Sequence, residues 1–383
     1  MNNFSYQNTT EIHFGQGQIA AIANSIPKDK KILVTYGGGS IKGNGVYDQV
    51  VAALSEHNWD EFSGIEPNPQ YDTLMKAVER IRAEGFDYLL AVGGGSVVDG
   101  TKFIAAAVSY QGEEEWDILA KQGKIESALP LGCIMTLPAT GSETNIGAVV
   151  TRGKEKLAFM HPSVRPQFAV LDPQTTLSLS ERQTSNGVVD AFIHVMEQYL
   201  TYPANAKIQD RFAEGILLTL VEEGPKLMTD LQDIEARTNV MWAATQALSG
   251  LIGVGVPQDW ATHMIGHELT GNFGVDHGRS LTIILPAIMQ VCRAEKKAKL
   301  LQYGERVWNI TEGSDDARID AIITRTKQFF IDMNTPVSLS EIDLTQADID
   351  TAMASLEAHG MTKLGENGSI DLERSRQIYQ TAL

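Results

Sequence analysis

Short apolar runs alternate with amphipathic stretches in the first half of the chain. Four runs rich in Val, Ile and Leu predict buried strands, namely KILVTY, DYLLAV, LGCIMTLPA and QFAVLD. The stretch TLMKAVERIRAEG predicts a helix, with Leu74, Val78 and Ile81 on one face and Gly85 as its end. This alternation is typical of a parallel sheet covered by helices.

The hydrophobic pattern changes near residue 178, and from Val188 onward it is almost wholly helical. The helical segments are VVDAFIHVMEQYL, DRFAEGILLTLVEEG, ARTNVMWAATQALSGLIGVG, DWATHMIGHEL and KAKLLQYGERVW. We therefore predict two domains, an α/β domain over residues 1–178 and an all-helical domain over residues 179–383.

Composition and charge narrow the function classes. The chain has 383 residues, 43% of them hydrophobic and 21% charged, as expected for a two-domain globular protein. Its net charge of −17 argues against a nucleic-acid or membrane surface as partner. No signal peptide or membrane-length apolar run is visible, and Cys133 and Cys292 have no CxxC spacing. We expect a cytoplasmic protein.

Two glycine segments, TYGGGS and AVGGGS, each follow a predicted strand. Glycine lets the backbone approach a ligand closely, and the start of a following helix offers N–H groups to an anion. Neither segment is a GxGxxG or P-loop motif, and a plain strand-to-helix turn is the alternative. Two such sites suit a dinucleotide with separate phosphate groups, and the lack of an acidic residue in TYGGGS favours NADP over NAD.

A third segment, TLPATGSETN, places hydroxyl groups at the end of another predicted strand. Hydroxyl and amide donors suit a phosphate, a ribose or the nicotinamide amide. From the residues alone, a turn followed by a helix cap is the favoured interpretation.

A carboxylate and four histidines in the helical half predict a divalent-metal site. Asp190 and His194 are four residues apart, so both face the same side of a helix. His263 and His267 share another helix face, and His277 follows ten residues later. This donor set suits Zn²⁺ or Fe²⁺, although a buried hydrogen bond is the alternative for the first pair. The HExxH pattern of zinc peptidases is absent, and the residues do not choose among the last three histidines.

Four motifs resemble signatures of the iron-containing, or group III, alcohol dehydrogenases: GGGSVVDGTK, TLPATGSE, DAFIHVMEQY and HMIGHELTGNFGVDHG, the last with H-x3-H-x9-H spacing. The resemblance extends from HFGQG at residues 13–17 to WNITEGSDD, nearly the whole chain. The segments TYGGGSIK, GIEPNP and GVPQDWATH are similar to the branch of NADPH-dependent butanol dehydrogenases and broad-specificity aldehyde reductases.

This resemblance implies a Rossmann-like α/β domain and an all-α domain in a dehydroquinate synthase-like fold, with the active site in the cleft between them and a homodimeric assembly. It implies metal-dependent hydride transfer between NADP(H) and small aldehydes or primary alcohols. The implied metal ligands are Asp190, His194, His263 and His277. His267 would lie beside them as a proton relay, so that His267 and His277 are the catalytic histidines.

The resemblance also implies a set of cofactor-binding residues. The NADP 2′-phosphate would be held by Gly37, Gly38, Gly39 and Ser40. The pyrophosphate and nicotinamide side would be lined by Gly94, Gly95, Ser96 and Asp99, and completed by Thr136, Thr140, Ser142 and Lys156. Asp99 has a helix-capping or hydroxyl-binding role as its alternative, and Lys156 that of a solvated loop cation. Members that prefer NAD carry an acidic residue where this chain has Tyr36 and Gly37.

Two other functions compete with this interpretation. A lyase resembling dehydroquinate synthase, or a polyol-phosphate dehydrogenase, would need several Lys and Arg residues for its charged substrate, whereas the helical segments here are apolar and small. A non-enzymatic metal- or phosphate-binding protein would not explain a metal cluster together with a dinucleotide site.

Overall fold

A computed structural model describes residues 1–383 and divides them into two compact units. One unit comprises residues 7–179, and the other comprises residues 180–383 together with residues 1–6. The sequence-based division assigned residues 1–6 to the α/β domain, whereas in the structure they belong to the helical unit. They join the helical unit through contacts such as the hydrogen bond from the backbone N–H of Asn2 to the carbonyl of Gly255, at 2.8 Å.

The first unit is built on a six-stranded sheet in which every neighbouring pair of strands is parallel, in the order β1-β8-β5-β4-β2-β3. A separate antiparallel hairpin, β6-β7, lies outside this sheet. The strands are β1 Glu11–Phe14, β2 Lys31–Tyr36, β3 Asn58–Phe62, β4 Tyr88–Gly94, β5 Leu131–Leu137, β6 Gly147–Arg152, β7 Glu155–Met160 and β8 Phe168–Leu171. The four predicted strands correspond to β2, β4, β5 and β8.

Six helices accompany these strands: α1 Ile22–Ser25, α2 Ser40–Gly43, α3 Val46–Ala53, α4 Tyr71–Glu84, α5 Gly95–Ala107 and α6 Asp117–Ala120. The helix predicted from its apolar face is α4, in which Leu74, Val78 and Ile81 are buried. It ends at Gly85, whose φ of 74° is left-handed and whose N–H donates to the carbonyl of Ile81. Local periodicity and one glycine therefore define this helix.

Neighbouring strands in the middle of the sheet carry the segments singled out by sequence. The order β5-β4-β2 places three parallel strands side by side. Because their carboxyl ends meet at one edge of the sheet, the two glycine segments and the TLPATGSETN segment all leave the sheet at that edge. This edge is where ligands bind in open parallel sheets.

The helical unit contains nine helices: α7 Glu181–Tyr199, α8 Lys207–Thr229, α9 Ile234–Ala247, α10 Ala261–Phe273, α11 His277–Val291, α12 Lys297–Trp308, α13 Asp315–Asp332, α14 Gln346–Ala358 and α15 Leu372–Thr381. Helix α7 begins with a capping box formed by Ser180 and Gln183 and is buried on all sides over residues 187–199. None of the helices has the length and hydropathy needed to cross a membrane.

Two of the predicted helices are shorter in the structure. The segment predicted over residues 236–255 ends at Ala247, and the chain then turns through Gly250 and Gly255, both with positive φ. The segment predicted from Asp259 begins as a helix only at Ala261, because Trp260 has a left-handed φ of 64°. The hydrophobic pattern did not reveal either break.

Phe192 lies at the centre of the helical core, 4.9 Å from the Phe329 ring and 5.7 Å from the Phe330 ring between centroids. We expect Phe192→Ala to lower the free energy of unfolding by about 3–5 kcal/mol because it leaves a cavity. Phe212→Ala is the matched control, since the Phe212 side chain on α8 is 45% exposed; it should cost about 0.5 kcal/mol or less. Urea unfolding followed by circular dichroism measures both, and equal losses would contradict this description of the core.

Candidate active site

Three histidine side chains converge on one carboxylate oxygen in the helical unit. The Nε2 atoms of His194, His263 and His277 lie 3.6, 3.7 and 3.5 Å from Oδ1 of Asp190. These distances are longer than hydrogen bonds. Two atoms bound tetrahedrally to one Zn²⁺, each at about 2.1 Å, are roughly 3.4 Å apart. The spacing therefore fits side chains that share a cation.

Three helices supply these four groups. Helix α7 carries Asp190 and His194 one turn apart, α10 carries His263 in its first turn, and α11 begins at His277. Ligand atoms of Asp190, His263 and His277 all lie within 4.8 Å of one another. His194 stacks on His263, with ring centroids 4.7 Å apart and an interplanar angle of 18°.

The start of α11 is fixed against α7 on both sides of His277. Asp276, the residue before it, accepts hydrogen bonds from Nε of Arg182 at 2.6 Å and from Nδ2 of Asn186 at 2.8 Å. On the other side a Cβ at Gly278 would lie 2.7 Å from the carbonyl oxygen of Asn186. Only glycine permits this close approach of the two helices, which brings the His277 ring to Asp190.

The donor set fits a divalent cation. Oδ1 of Asp190 and Nε2 of His263 are buried and have no hydrogen-bond partner, which is costly for such polar atoms. Burial acts to raise the pKa of Asp190, but the neighbouring histidines outweigh it and hold that pKa well below its usual range. One ionised carboxylate and several imidazole nitrogens are ligands that suit Zn²⁺ or Fe²⁺.

His267 lies beside this group but outside the set of atoms that face Asp190. Its ring centroid is 5.2 Å from that of His277 and 6.0 Å from that of His263. The residue is partly exposed, whereas His263 is buried. The structure thus separates the histidines of the second cluster, which sequence spacing alone left equivalent.

Glu197 is a buried residue of this region that the sequence interpretation missed. It lies on α7, and its Oε2 contacts Nδ1 of His263 while its Oε1 accepts the backbone N–H of Thr262 at 2.6 Å. Burial acts to lower the pKa of His263, but the carboxylates of Glu197 and Asp190 outweigh it and raise the pKa to about 9. The available signal was a glutamate three residues after His194, but its partner is 66 residues away in sequence.

The first glycine segment follows β2 as a loop of three glycines. Gly39 has a φ of 95°, and no other atom lies within 4 Å of a Cβ placed at Gly38 or Gly39. Ser40 starts only the single-turn helix α2, and the longer helix α3 begins at Val46. The helix that follows the first segment is therefore short. Open space beside Gly38 and Gly39 is the feature that remains.

The second glycine segment forms no turn. Gly94 ends β4 and Gly95 is already the first residue of the thirteen-residue helix α5. A Cβ at Gly95 would lie 2.3 Å from Oγ1 of Thr140, and one at Gly93 would lie 2.6 Å from Cγ2 of Val97. Here packing demands glycine. Because α5 follows β4 directly, its start lies at the carboxyl edge of the sheet, and no side chain caps its first N–H groups there.

Asp99 on α5 binds protein groups. It accepts hydrogen bonds from Oγ of Ser142 at 2.5 Å and from the backbone N–H of Val149 at 3.0 Å. Burial raises its pKa, with smaller opposing effects from Lys102 and these hydrogen bonds. Its partners match the hydroxyl-binding role that the sequence left as the alternative.

Lys102, which the sequence interpretation did not select, ties the same loop to α5. Its buried Nζ donates to the carbonyl and side-chain oxygens of Asn145, at 3.0 and 2.9 Å, and to the carbonyl of Gly147 at 2.8 Å. Burial lowers its pKa to about 8, partly opposed by Asp99. Lys102 and Asp99 together hold the loop after β5 against the helix.

Lys156 and Ser96 meet at Asn68. Nζ of Lys156, on β7, donates to Oδ1 of Asn68 at 2.9 Å, and the backbone N–H of Asn68 donates to Oγ of Ser96 at 3.4 Å. The remaining sequence candidates, Thr136 on β5 and Thr140 in the loop that follows, lie at the same sheet edge. Lys156 is therefore a strand residue with a fixed partner and not a loop cation.

Comparison with known proteins identifies relatives over the whole chain. The profile of the iron-containing alcohol dehydrogenases matches residues 9–173, and that of the C-terminal region of the Fe-containing alcohol dehydrogenase family matches residues 184–383. NADPH-dependent aldehyde reductase YqhD of Escherichia coli is 58% identical over 100% of both chains. NADH-dependent butanol dehydrogenase A of Clostridium acetobutylicum is 36% identical over 99% of each.

Solved structures agree. The crystal structure of YqhD from E. coli K-12 has a TM-score of 0.98 at 57% identity and covers 100% of this chain and 99% of that chain. NADH-dependent butanol dehydrogenase A from Thermotoga maritima has a TM-score of 0.95 at 35% identity, with the same coverage.

The hydrogen bonds of Asp99 generate a test. We expect Asp99→Ala to lower the free energy of unfolding by about 1–3 kcal/mol, because Ser142 and Val149 lose their acceptor. Asp99→Asn should retain most of the stability, since an amide can accept from the Val149 N–H and donate to the Ser142 oxygen. Urea unfolding of both variants decides the matter. If both variants lose the same free energy of unfolding, the fold requires the negative charge of Asp99 and not its hydrogen bonds.

Proposed function

Because the chain belongs to the iron-containing alcohol dehydrogenase family, we propose that it transfers hydride between NADP(H) and small aldehydes or primary alcohols, with the aid of one divalent metal ion. The observation that carries this proposal is the convergence of three histidine Nε2 atoms on Asp190 in a chain 58% identical to an NADPH-dependent aldehyde reductase. The chain is thus an oxidoreductase of aldehydes and alcohols.

The proposed metal ligands are Asp190, His194, His263 and His277. Their support is the spacing of 3.5–3.7 Å around Oδ1 of Asp190 and the two buried atoms without hydrogen-bond partners. When bound, a Zn²⁺ or Fe²⁺ ion supplies Lewis acidity that polarises a carbonyl oxygen. The four side chains would hold that ion at one place in the helical unit, and the single carboxylate among them would offset part of its charge.

His267 is the proposed proton relay between the substrate oxygen and solvent. Its ring lies beside those of His263 and His277, and the residue is partly exposed. An imidazole can accept a proton at one nitrogen and release one at the other near neutral pH. His277, whose ring is the neighbour of the His267 ring, is the proposed catalytic histidine that also binds the metal.

The proposed NADP(H) site uses the segments at the carboxyl edge of the sheet. Gly37, Gly38, Gly39 and Ser40 would hold the 2′-phosphate, supported by the open space beside Gly38 and Gly39. The start of α5, with Gly94, Gly95 and Ser96, would hold the pyrophosphate through its uncapped N–H groups. Thr136, Thr140 and Ser142 would contact the rest of the cofactor, with Lys156 beside Ser96. Asp99 would act by positioning Ser142.

The competing functions are not favoured. A lyase resembling dehydroquinate synthase, or a binding protein without activity, would not be expected at 58% identity to an aldehyde reductase over the full chain. The cytoplasmic location and the homodimer stay predictions from the sequence and the family resemblance.

Metal removal tests the proposed reaction. Purified protein should oxidise NADPH when given butanal, lose that activity after chelation, and regain it when Zn²⁺ or Fe²⁺ is restored, because the bound cation is the group proposed to polarise the carbonyl oxygen. The change in NADPH absorbance measures each state. Activity that survives complete chelation would contradict the metal-dependent reaction.

The histidines provide matched controls for the ligand assignment. His263→Ala should release the metal, whereas His267→Ala should retain it and lose turnover only. Metal content by elemental analysis separates the two variants. Loss of metal from both would show that His267 belongs to the ligand set.

Gly39 tests the proposed 2′-phosphate site. Gly39→Asp should weaken the binding of NADPH about tenfold more than that of NADH, because the new carboxylate would repel the 2′-phosphate. Since Gly39 has a φ of 95°, any side chain there strains the backbone, and Gly39→Ala controls for that strain without adding charge. Dissociation constants from cofactor fluorescence measure the effect. If Gly39→Asp weakened the binding of both cofactors equally, the 2′-phosphate could not be assigned to this segment.

A further inference from the structure

Glu197 is a carboxylate that no step of the proposed reaction uses. It lies on α7 one turn beyond His194 and two turns beyond Asp190, and only 2% of its surface is exposed. A carboxylate buried to this degree requires partners for both oxygens. Glu197 finds all of them on α10, the helix that carries His263.

One oxygen of Glu197 caps the start of α10. The residue at the N-cap position, Trp260, has a left-handed backbone and its side chain makes no capping hydrogen bond. Instead, Oε1 of Glu197 accepts the N–H of Thr262 at 2.6 Å and that of His263 at 3.3 Å. A negative charge at this place satisfies free N–H groups and interacts favourably with the helix dipole. The helix that carries His263 is thus anchored by a side chain of α7.

The other oxygen determines which nitrogen of His263 is available. Oε2 of Glu197 contacts Nδ1 of His263. An ionised carboxylate can only accept, so Nδ1 must carry the hydrogen, and in the neutral ring Nε2 then carries the lone pair. Nε2 is the atom that lies 3.7 Å from Oδ1 of Asp190 and has no hydrogen-bond partner.

The turn before α10 is held firmly enough to keep this geometry. The backbone N–H of Asp259 donates to the carbonyl of Glu197 at 2.9 Å. The carboxylate of Asp259 forms a buried ion pair with Nζ of Lys296 at 2.6 Å, and Lys296 also pairs with Glu366 at 2.9 Å. These contacts hold the strained Trp260, whose ring lies 5.5 Å from that of His263.

We propose that Glu197 is a positioning residue of the metal centre: through one carboxylate it fixes the orientation of His263, selects the tautomer with Nε2 free for the cation, and holds α10 at the position where that nitrogen meets Asp190. This inference rests on the proposed metal site. Groups that orient a metal-binding histidine typically contribute 10- to 100-fold in metal affinity.

Glu197→Gln separates the tautomer from the capping role. The amide has nearly the same shape, and its oxygen can still accept from Thr262 and His263, but its NH₂ group would donate to Nδ1. That arrangement places the hydrogen of the neutral ring on Nε2 and blocks coordination. We expect the dissociation constants for Zn²⁺ and Co²⁺ to rise 10- to 100-fold, while the melting temperature of the metal-free protein stays close to that of wild type.

Glu268→Gln is the matched control. Glu268 is also buried on α10, and its Oε1 lies 2.8 Å from Nδ1 of His359, a histidine outside the metal group. This substitution changes the same kind of carboxylate–histidine pair, in which α10 supplies the carboxylate instead of the histidine, and it should leave metal affinity unchanged. Competition with a chromophoric chelator measures both variants. Wild-type affinity in Glu197→Gln, or equal weakening by the two substitutions, overturns the proposal.

A second measurement does not depend on whether a variant folds. In zinc-loaded wild-type protein labelled with ¹⁵N-histidine, long-range correlations should show His263 protonated at Nδ1 and bound at Nε2. The opposite assignment overturns the proposal. Wild-type protein that binds neither metal would instead refute the metal site of the proposed function, so the two failures are distinguishable.

Discussion

The burial of the Asp190 carboxylate is the constraint on which the helical unit depends. Helix α7 is buried on all sides over residues 187–199 and packs in the hydrophobic core of the unit, and Asp190 lies in the middle of the helix. A lone negative charge there would be strongly destabilising. Three imidazoles, from α7, α10 and α11, surround it. Their Nε2 atoms lie 3.5–3.7 Å from Oδ1 of Asp190, farther than in a hydrogen-bonded ion pair, and this spacing leaves room for a cation between them. The same side chains therefore compensate the buried charge of Asp190 and form the proposed metal site.

A second carboxylate of α7 extends this organisation to the neighbouring helix. Asp190 faces Nε2 of His263 and Glu197 faces Nδ1, so the ring lies between two buried acids. The same Glu197 replaces the missing cap of α10. Helix position and ring orientation are therefore coupled, because a displacement of α10 would break the contact that orients its histidine. The left-handed Trp260 is tolerated within this frame, held by Asp259 and Lys296.

The two glycine segments of the α/β unit have the same sequence, GGGS, but their glycines are required for different structural reasons. At Gly93 and Gly95 a side chain would collide with Val97 and Thr140, so these glycines allow α5 and the loop after β5 to pack closely. At Gly38 and Gly39 nothing fills the adjacent space. Asp99 and Lys102 then fix the loop after β5 and the first part of β6 through hydrogen bonds to Ser142, Asn145, Gly147 and Val149. One segment is closely packed and the other is open.

The sequence encodes part of this structure through local periodicity and spacing. It gave the strands β2, β4, β5 and β8, the helix α4 with its end at Gly85, and the pairing of Asp190 with His194 one turn apart. Folding of the whole chain is needed to bring ligand atoms of Asp190, His263 and His277 together, to place Glu197 against His263 across 66 residues, and to attach residues 1–6 to the helical unit. The reason is physical: a pattern shows which face of an element is buried, whereas the element that covers it is chosen by packing of the whole chain.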